Sequence, residues 1–443
     1  MKLPLNGELV DYQLSGTPVA QGTYSPARSR LAFAAAHVVA DPLGDNSPGA
    51  PAVIDWEHTL GFRRHLWSLG LSVAEAMDTA QRGMGLDWAS TQELIRRSAA
   101  EAPDGRIAVG VGTDQLPATG QPAAGSTRKS GAESRGASAT SSTGGSRSGE
   151  TAGGSRSGET AGGSRSGETA GGSRSTRPGE GGVHSLDAVI AAYEEQLAVA
   201  EDVQAQPILM ASRALCAAAS GPDDYRKVYD RLLNQSSRPV ILHWLGSMFD
   251  PALDGYWGSD DVDAAADTVV QLIEDNVAKV DGIKVSLLDA DKEVALRKRL
   301  PEGVRLYTGD DFNYPELIQG DGDRYSDALL GIFAAIAPAA AAALKALDDN
   351  DLDTYTKVFA PTVPLARQIF SAPTYYYKTG IAFLAWLNGY QPGFTMVGGL
   401  QTGRALTHLA DTFRLADQAG VLTNPDLAVD RFRQLLRVGG IDA

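Results

Sequence analysis

Lys284 is the residue whose setting most invites chemistry. It lies in the run Val280-Asp-Gly-Ile-Lys-Val285, an ammonium inside an otherwise apolar strand-like segment. Side chains two apart share one face of a strand, so Gly282, Lys284 and Ser286 point one way while Ile283 and Val285 point the other. An amine held away from water loses stabilisation of its charged form, its pKa falls, and it becomes a nucleophile toward a carbonyl carbon. The competing reading is a lysine neutralised by a carboxylate such as Asp310. His243 closes the run Val240-Ile-Leu-His243; there a neutral imidazole can shuttle a proton, or simply satisfy a backbone carbonyl. Thr308-Gly-Asp-Asp311 follows another apolar run. Gly309 lets the backbone approach a ligand closely, and Asp310 or Asp311 can hold a hydroxyl, pair with Lys284 or cap the next helix.

Residues so far apart in sequence need a frame that gathers strand ends. Short apolar runs alternate with longer amphipathic ones, the pattern of βα units around a parallel sheet. Strands are expected over Arg30–Val39, Ser72–Met77, Arg106–Gly112, Pro207–Ser212, Pro239–Trp244, Val280–Leu287 and Val304–Tyr307, with an eighth near Ala328–Phe333. Helices fill the gaps at His58–Leu69, Ser90–Ala102, Leu186–Asp202, Pro222–Gln235, Val262–Asn276 and Asp289–Leu300, with Ser90 and Ser185 as expected caps. Further helices are expected over Ser326–Ala346, Asp351–Phe359 and Gly403–Ala419, with an aromatic-rich loop from Tyr375 to Phe394 between them, a C-terminal helical layer that can cover the barrel mouth or build a dimer contact. The fold class is therefore α/β, a (β/α)8 TIM barrel with a C-terminal helical extension. Its parts are an N-terminal segment over 1–29, the barrel over 30–340 and the extension over 341–443.

The barrel is interrupted over 117–182 by a stretch too poor in apolar residues to join a core. It holds a nine-residue repeat, Gly-Gly-Ser-Arg-Ser-Gly-Glu-Thr-Ala, running three times from Gly144 to Ala170. Such a repeat has no apolar face to stack, so a disordered surface-loop insert is expected rather than a solenoid. The net charge of -15 repels phosphate backbones and acidic lipid surfaces, which argues against nucleic acid as a partner. The start of the chain lacks the apolar run of a secretory signal, and the long apolar stretch Leu329–Leu347 contains Pro338, so a cytoplasmic protein without a membrane span is expected. One cysteine, Cys216, excludes an intrachain disulfide. Gly110, Gly112, Thr113 and Asp114 fall short of a nucleotide-binding turn, and His37, Asp41, Asp45 and His58 match no metal spacing, so neither cofactor nor metal is expected.

The segments Pro239-Val-Ile-Leu-His243, Asp281-Gly-Ile-Lys284 and Thr308-Gly-Asp-Asp311, in this order and at barrel spacing, resemble the dihydrodipicolinate synthase and N-acetylneuraminate lyase superfamily. The resemblance to the superfamily runs from about Arg30 to the region near Pro338, and that to a divergent branch of it over nearly the whole length outside the insert. It implies that Lys284 attacks the keto carbon of a small 2-keto acid to give an iminium ion, an electron sink for the adjacent carbon–carbon bond. It also implies a homo-oligomer. Where the superfamily has a tyrosine as proton relay, this chain has His243. Where it has a Gly-Thr-Thr-Gly-Glu turn for the substrate carboxylate, this chain reads Glu75 to Gly85, in which Asp78 and Thr79 can stand in and Arg82 can supply the anion contact. The function expected is a Schiff-base lyase or aldolase for a small 2-keto acid, a sugar-derived one being suited to Asp310 and Asp311. Two alternatives stand beside it: a sugar-acid dehydratase using the same iminium, and a barrel that binds a metabolite without catalysis.

Overall fold

The computed structural model describes residues 1–20, 22–103, 105–117, 184–322 and 324–442. The chain divides into two units, 1–118 with 183–443, and 119–182. The insert expected over 117–182 lies outside the described residues apart from Pro117. Its described flanks meet, with His184 Nε2 2.8 Å from the Pro117 carbonyl oxygen.

A short antiparallel hairpin, β1 (Lys2–Leu5) and β2 (Glu8–Asp11), precedes the barrel. The barrel strands are β3 (Ala32–Ala35), β4 (Ser72–Glu75), β5 (Ile107–Val111), β6 (Gln206–Leu209), β7 (Val240–Leu245), β8 (Val280–Ser286), β9 (Arg305–Thr308) and β10 (Asp327–Leu330). All eight are parallel and close in the order β10-β3-β4-β5-β6-β7-β8-β9. Each falls within a residue of an apolar run read from the sequence. The helix expected over Ser326–Ala346 is a correction: Asp327–Leu330 pairs with both β3 and β9 to shut the cylinder, and helix resumes only at Ile332. Among the described residues no helix is long and apolar enough to cross a membrane.

Caps set the helix starts. Ser185 accepts from Ala188 N, as expected, but the helix expected from Ser90 begins a turn earlier at Trp88, because Asp87 accepts from Ser90 N and outcompetes the serine. Beyond the barrel come helices Ala337–Asp348, Leu352–Phe359, Thr362–Ile369, Tyr377–Leu387, Leu406–Gln418 and Pro425–Val438. The third of these, and the last, have no counterpart in the sequence reading. Most of the loop expected over Tyr375–Phe394 is the helix Tyr377–Leu387, buried along its whole length. A helix apolar on every face shows no period of 3.6, so periodicity could not reveal it. The hairpin and the segment after it dock on the helix Leu406–Gln418, where Asp417 accepts from Tyr12 OH and Ser15 N.

Inside the barrel, Phe33, Ala74, Ala108, Ile208, Ile241, Tyr307 and Leu329 belong to a closed apolar core distinct from the larger one under the helices. Tyr307 and Phe33 meet edge to face at 6.1 Å. The Tyr307 ring occupies the space that Gly282 leaves: a Cβ added at Gly282 would lie 2.8 Å from it and 2.6 Å from the Arg305 carbonyl oxygen. Overpacking of this kind costs about 1–3 kcal/mol, so Gly282→Ala should lower the free energy of unfolding in urea by that much. An unchanged midpoint would show that the barrel interior is not packed as described.

Behind the barrel wall, the helix Ala290–Arg299 sends Glu293 between β9 and β10, where Thr308 Oγ1 (3.0 Å) and Ser326 Oγ (2.8 Å) donate to it. Burial pushes its carboxyl up to about 8 against the two hydroxyls, with help from the Asp310 charge. The folded chain thus holds a proton that the unfolded chain releases near 4.5, so this group makes stability fall as pH rises between those two values. Glu293→Gln cannot ionise and escapes the loss. Its stability relative to the native chain should improve by on the order of a few kcal/mol between about pH 5 and about pH 8.5. A difference in melting temperature that is the same at both ends of that range contradicts a protonated Glu293.

Candidate active site

β7, β8 and β9 run side by side with His243 level with Lys284 and Lys284 level with Tyr307. That register points His243, Lys284 and Tyr307 to the same face of the three strands, and Lys284 is 7% exposed. Gly309 follows on the inner face of β9 and has no room for a side chain: a Cβ there would lie within 3 Å of both Lys284 Cε and Ser286 Oγ. The glycine expected to admit a ligand instead admits the lysine stem itself. Lys284 therefore rises along a smooth wall to the carboxyl end of the barrel, the end where barrel active sites form.

Its amine opens into a small enclosed cavity of about 20 Å³, room for a water molecule or two. The polar lining is Asp78, Thr79, Ser286, Asp311 and Tyr377, and Phe249 and Phe370 supply apolar walls. Among the described residues Lys284 makes no hydrogen bond and no ion pair. Burial lowers its pKa, and the charges of Asp78 and Asp311 act in the opposite direction without reversing it. Burial likewise raises the Asp311 carboxyl, against the pull of the Ile332 N–H, which donates to Asp311 Oδ1 at 2.8 Å, and of Lys284.

The turn that carries Asp78 and Thr79 is held by a buried ion pair. Glu75, at the end of β4, receives Arg63 Nε and Nη2, both at 2.8 Å, and its Oε1 also accepts from Ala76 N at 2.8 Å. Ala76 is left-handed, with φ of 52°, a conformation costly for a side-chain-bearing residue and sustained here by that hydrogen bond. From this bend the chain turns inward and presents Thr79.

Thr79 Oγ1 lies 2.8 Å from the hydroxyl of Tyr377, a residue of the C-terminal extension that the sequence reading did not single out. Tyr377 stacks on Phe370 with centroids 4.3 Å apart, and Phe249 meets both rings edge-on. Burial, reinforced by the charge of Asp78, raises the phenol pKa well above its ordinary range, so it stays protonated. The signal for it was the aromatic cluster at Tyr375-Tyr-Tyr377. Its next neighbour, Lys378, is also buried, its pKa lowered to about 8 by desolvation; its Nζ donates to the Tyr375 carbonyl at 3.0 Å.

The other expected residues are placed differently. Asp310 does not pair with Lys284: its carboxylate accepts from Phe312 N, Asn313 N and Asn313 Nδ2, so it caps the turn after β9. Arg82 is a correction to the expected anion contact. It is buried and committed, donating to the Gly110 carbonyl (2.7 Å), Gln196 Oε1 (2.5 Å) and the Asp114 carboxylate. His243 is fully buried beneath the cavity rather than lining it. Its Nε2 reaches Ser286 Oγ at 3.5 Å, its Nδ1 has no partner, and desolvation, with the Lys284 charge second, holds its pKa well below 6.5. His37, weighed as a metal ligand, bonds to Gln391 at 2.8 Å. Among the described residues no group of three or more His, Cys, Asp or Glu could hold a metal ion.

No curated protein matches the chain in sequence, but solved structures match it in fold. The dihydrodipicolinate synthase of Oceanobacillus iheyensis superposes with a TM-score of 0.55 at 13% identity, covering 88% of this chain and 96% of that one. For the synthase DapA-2 of Bacillus anthracis the values are 0.54, 13%, 89% and 98%, and for the Thermotoga maritima synthase 0.55, 11%, 89% and 100%. At such identities the likeness is one of fold, and it is the fold that the three sequence motifs implied. A family model described as protein of unknown function (DUF993) matches residues 1–141 and 155–441, and the chain belongs to that family.

Proposed function

We propose that this chain is a lyase of the aldolase type that forms a Schiff base between Lys284 and a small carbonyl compound. The observation that carries the reading is a primary amine without hydrogen bond or ion pair, enclosed at the carboxyl end of a barrel strand beside a protonated phenol. A structural lysine would be neutralised by a carboxylate; burial without one favours the free base, which is the nucleophilic form.

The steps follow from the positions of the groups. The lone pair of Lys284 Nζ attacks the carbonyl carbon, and the amine proton passes to the oxygen to give a carbinolamine. Tyr377 donates a proton to that hydroxyl, which leaves as water, and the iminium ion remains beside a phenolate that Thr79 stabilises across its 2.8 Å contact. The iminium then accepts the electron pair of the bond between its neighbouring carbon and a carbinol carbon as that bond breaks, while the carbinol proton passes to a carboxylate of the site, giving an enamine and a released carbonyl fragment. Protonation of the enamine carbon, then addition of water whose spare proton returns to the Tyr377 phenolate, releases the product and the free amine. Tyr377 thus takes the relay role that the resemblance assigned to the position of His243. His243, neutral and buried, holds Ser286 beside the amine.

Incubation with cyanoborohydride and candidate carbonyl compounds, followed by intact mass and peptide mapping, tests the reading. The native chain should gain one adduct, on Lys284, and Lys284→Ala none. Tyr377→Phe should form the adduct about 10²-fold more slowly, the usual size of a general-acid contribution. An adduct that persists in Lys284→Ala, or Tyr377→Phe labelling at the native rate, contradicts the assignment.

A further inference from the structure

Among the described residues the cavity offers a substrate no cation except the amine proposed to perform the chemistry. Of its lining side chains only Asp78, Lys284, Asp311 and, once it has given up its proton, Tyr377 can carry charge, and of these only Lys284 can be a cation. The neighbouring cations are spent elsewhere. Arg82 is bound to Asp114, Gln196 and the Gly110 carbonyl. Arg63 is paired with Glu75, and Arg213 with Asp250. Lys378 lies outside the lining and donates to the Tyr375 carbonyl, with the charges of Asp78 and Asp250 drawing on it and that of Arg213 opposing. The N–H of Ile332, at the start of a helix facing the site, is already taken by Asp311 Oδ1.

A 2-keto acid carries its carboxylate on the carbon that Lys284 must attack, so that anion would have to enter between Asp78 and Asp311. A carboxylate brought beside the charge of Asp78 where water is scarce is repelled strongly, and more so wherever Asp311, its carboxyl raised by burial, is also ionised; among the described residues no guanidinium of the lining compensates. A hydroxyl in the same position does the reverse, since it can donate to either carboxylate.

We infer that the substrate is a neutral hydroxylated carbonyl compound, with a hydroxyl-bearing carbon rather than a carboxylate next to the carbonyl, and that Asp78 and Asp311 select it. This rests on the Schiff-base reading of Lys284. In the cleavage direction the bond that breaks joins the carbon next to the iminium to a carbinol carbon. The carbinol proton passes to a carboxylate of this pair, its oxygen becomes the carbonyl of the departing aldehyde, and the bonding electrons enter the enamine. The carboxylic acid returns the proton to the enamine carbon, and the water lost on Schiff-base formation is matched by the water that hydrolyses it. The balance needs no oxidant and no cofactor.

Hydroxyacetone and pyruvate have the same carbon count and differ at the group in question. Each is incubated with the full chain and cyanoborohydride, and its rate of labelling at Lys284 is normalised to its rate with N-acetyl-lysine. Hydroxyacetone should label faster by about tenfold or more, as expected for uncompensated like charges. Asp78→Asn and Asp311→Asn should each narrow the gap by speeding pyruvate. Pyruvate labelling as fast as hydroxyacetone overturns the inference and leaves the Schiff-base reading standing. A preference that survives both substitutions overturns the role given to the two carboxylates, and labelling of Lys284 by neither compound removes the inference together with the reading beneath it.

Discussion

Taking an ammonium out of water without giving it a partner is among the most costly acts in folding, and the site of this protein is organised around doing so. The group escapes most of the penalty by shedding its proton. Lys284 stands in that position, with carboxylates near enough to act on it through space and none close enough to form an ion pair. A direct ion pair would have been easier to fold and would have removed the proposed nucleophile. The neighbouring architecture reads as a set of devices that keep that pair from forming while excluding water.

Two glycines and a tyrosine build the floor. Gly282 yields its place to the Tyr307 ring, which plugs the barrel below the amine, and Gly309 lets β9 lie against the lysine stem. The roof comes from the other end of the chain, where Phe370 and Tyr377 close over the cavity. The lateral turn is fixed by the Arg63–Glu75 pair and by Gln81, whose amide donates to the Val397 carbonyl of the extension at 2.8 Å. The extension is thus part of the site as well as of the fold. Positive charge is drawn away in the same arrangement, since Arg63 and Arg82 spend their donors on structural acceptors.

Much of this was legible in the sequence because short apolar runs in a βα pattern admit few architectures. Alternation along Val280–Ser286 was enough to aim Lys284 inward, and that is how it points. What could not be read was decided by tertiary contacts. Asp310 and Asp311 are adjacent and chemically identical, and only the path of the turn makes one a cap for Asn313 and the other a lining group. Arg82 has the charge an anion site needs, yet Asp114 and Gln196, distant in sequence, claim it first. Tyr377 belongs to a helix apolar on all sides, so no period betrayed it. In the proposed mechanism the phenol that β7 does not carry comes from a segment more than a hundred residues later.

The central claim concerns one titration, and it can be measured directly. Reductive methylation with ¹³C-formaldehyde, a reagent small enough for the cavity, places a carbon label on Lys284 whose shift reports ionisation, the signal being identified by its loss in Lys284→Ala. The account predicts a midpoint clearly below the ordinary lysine value of 10.5. A midpoint at or above that value would mean that the amine is solvated or ion-paired, and the chemistry assigned to it would not stand.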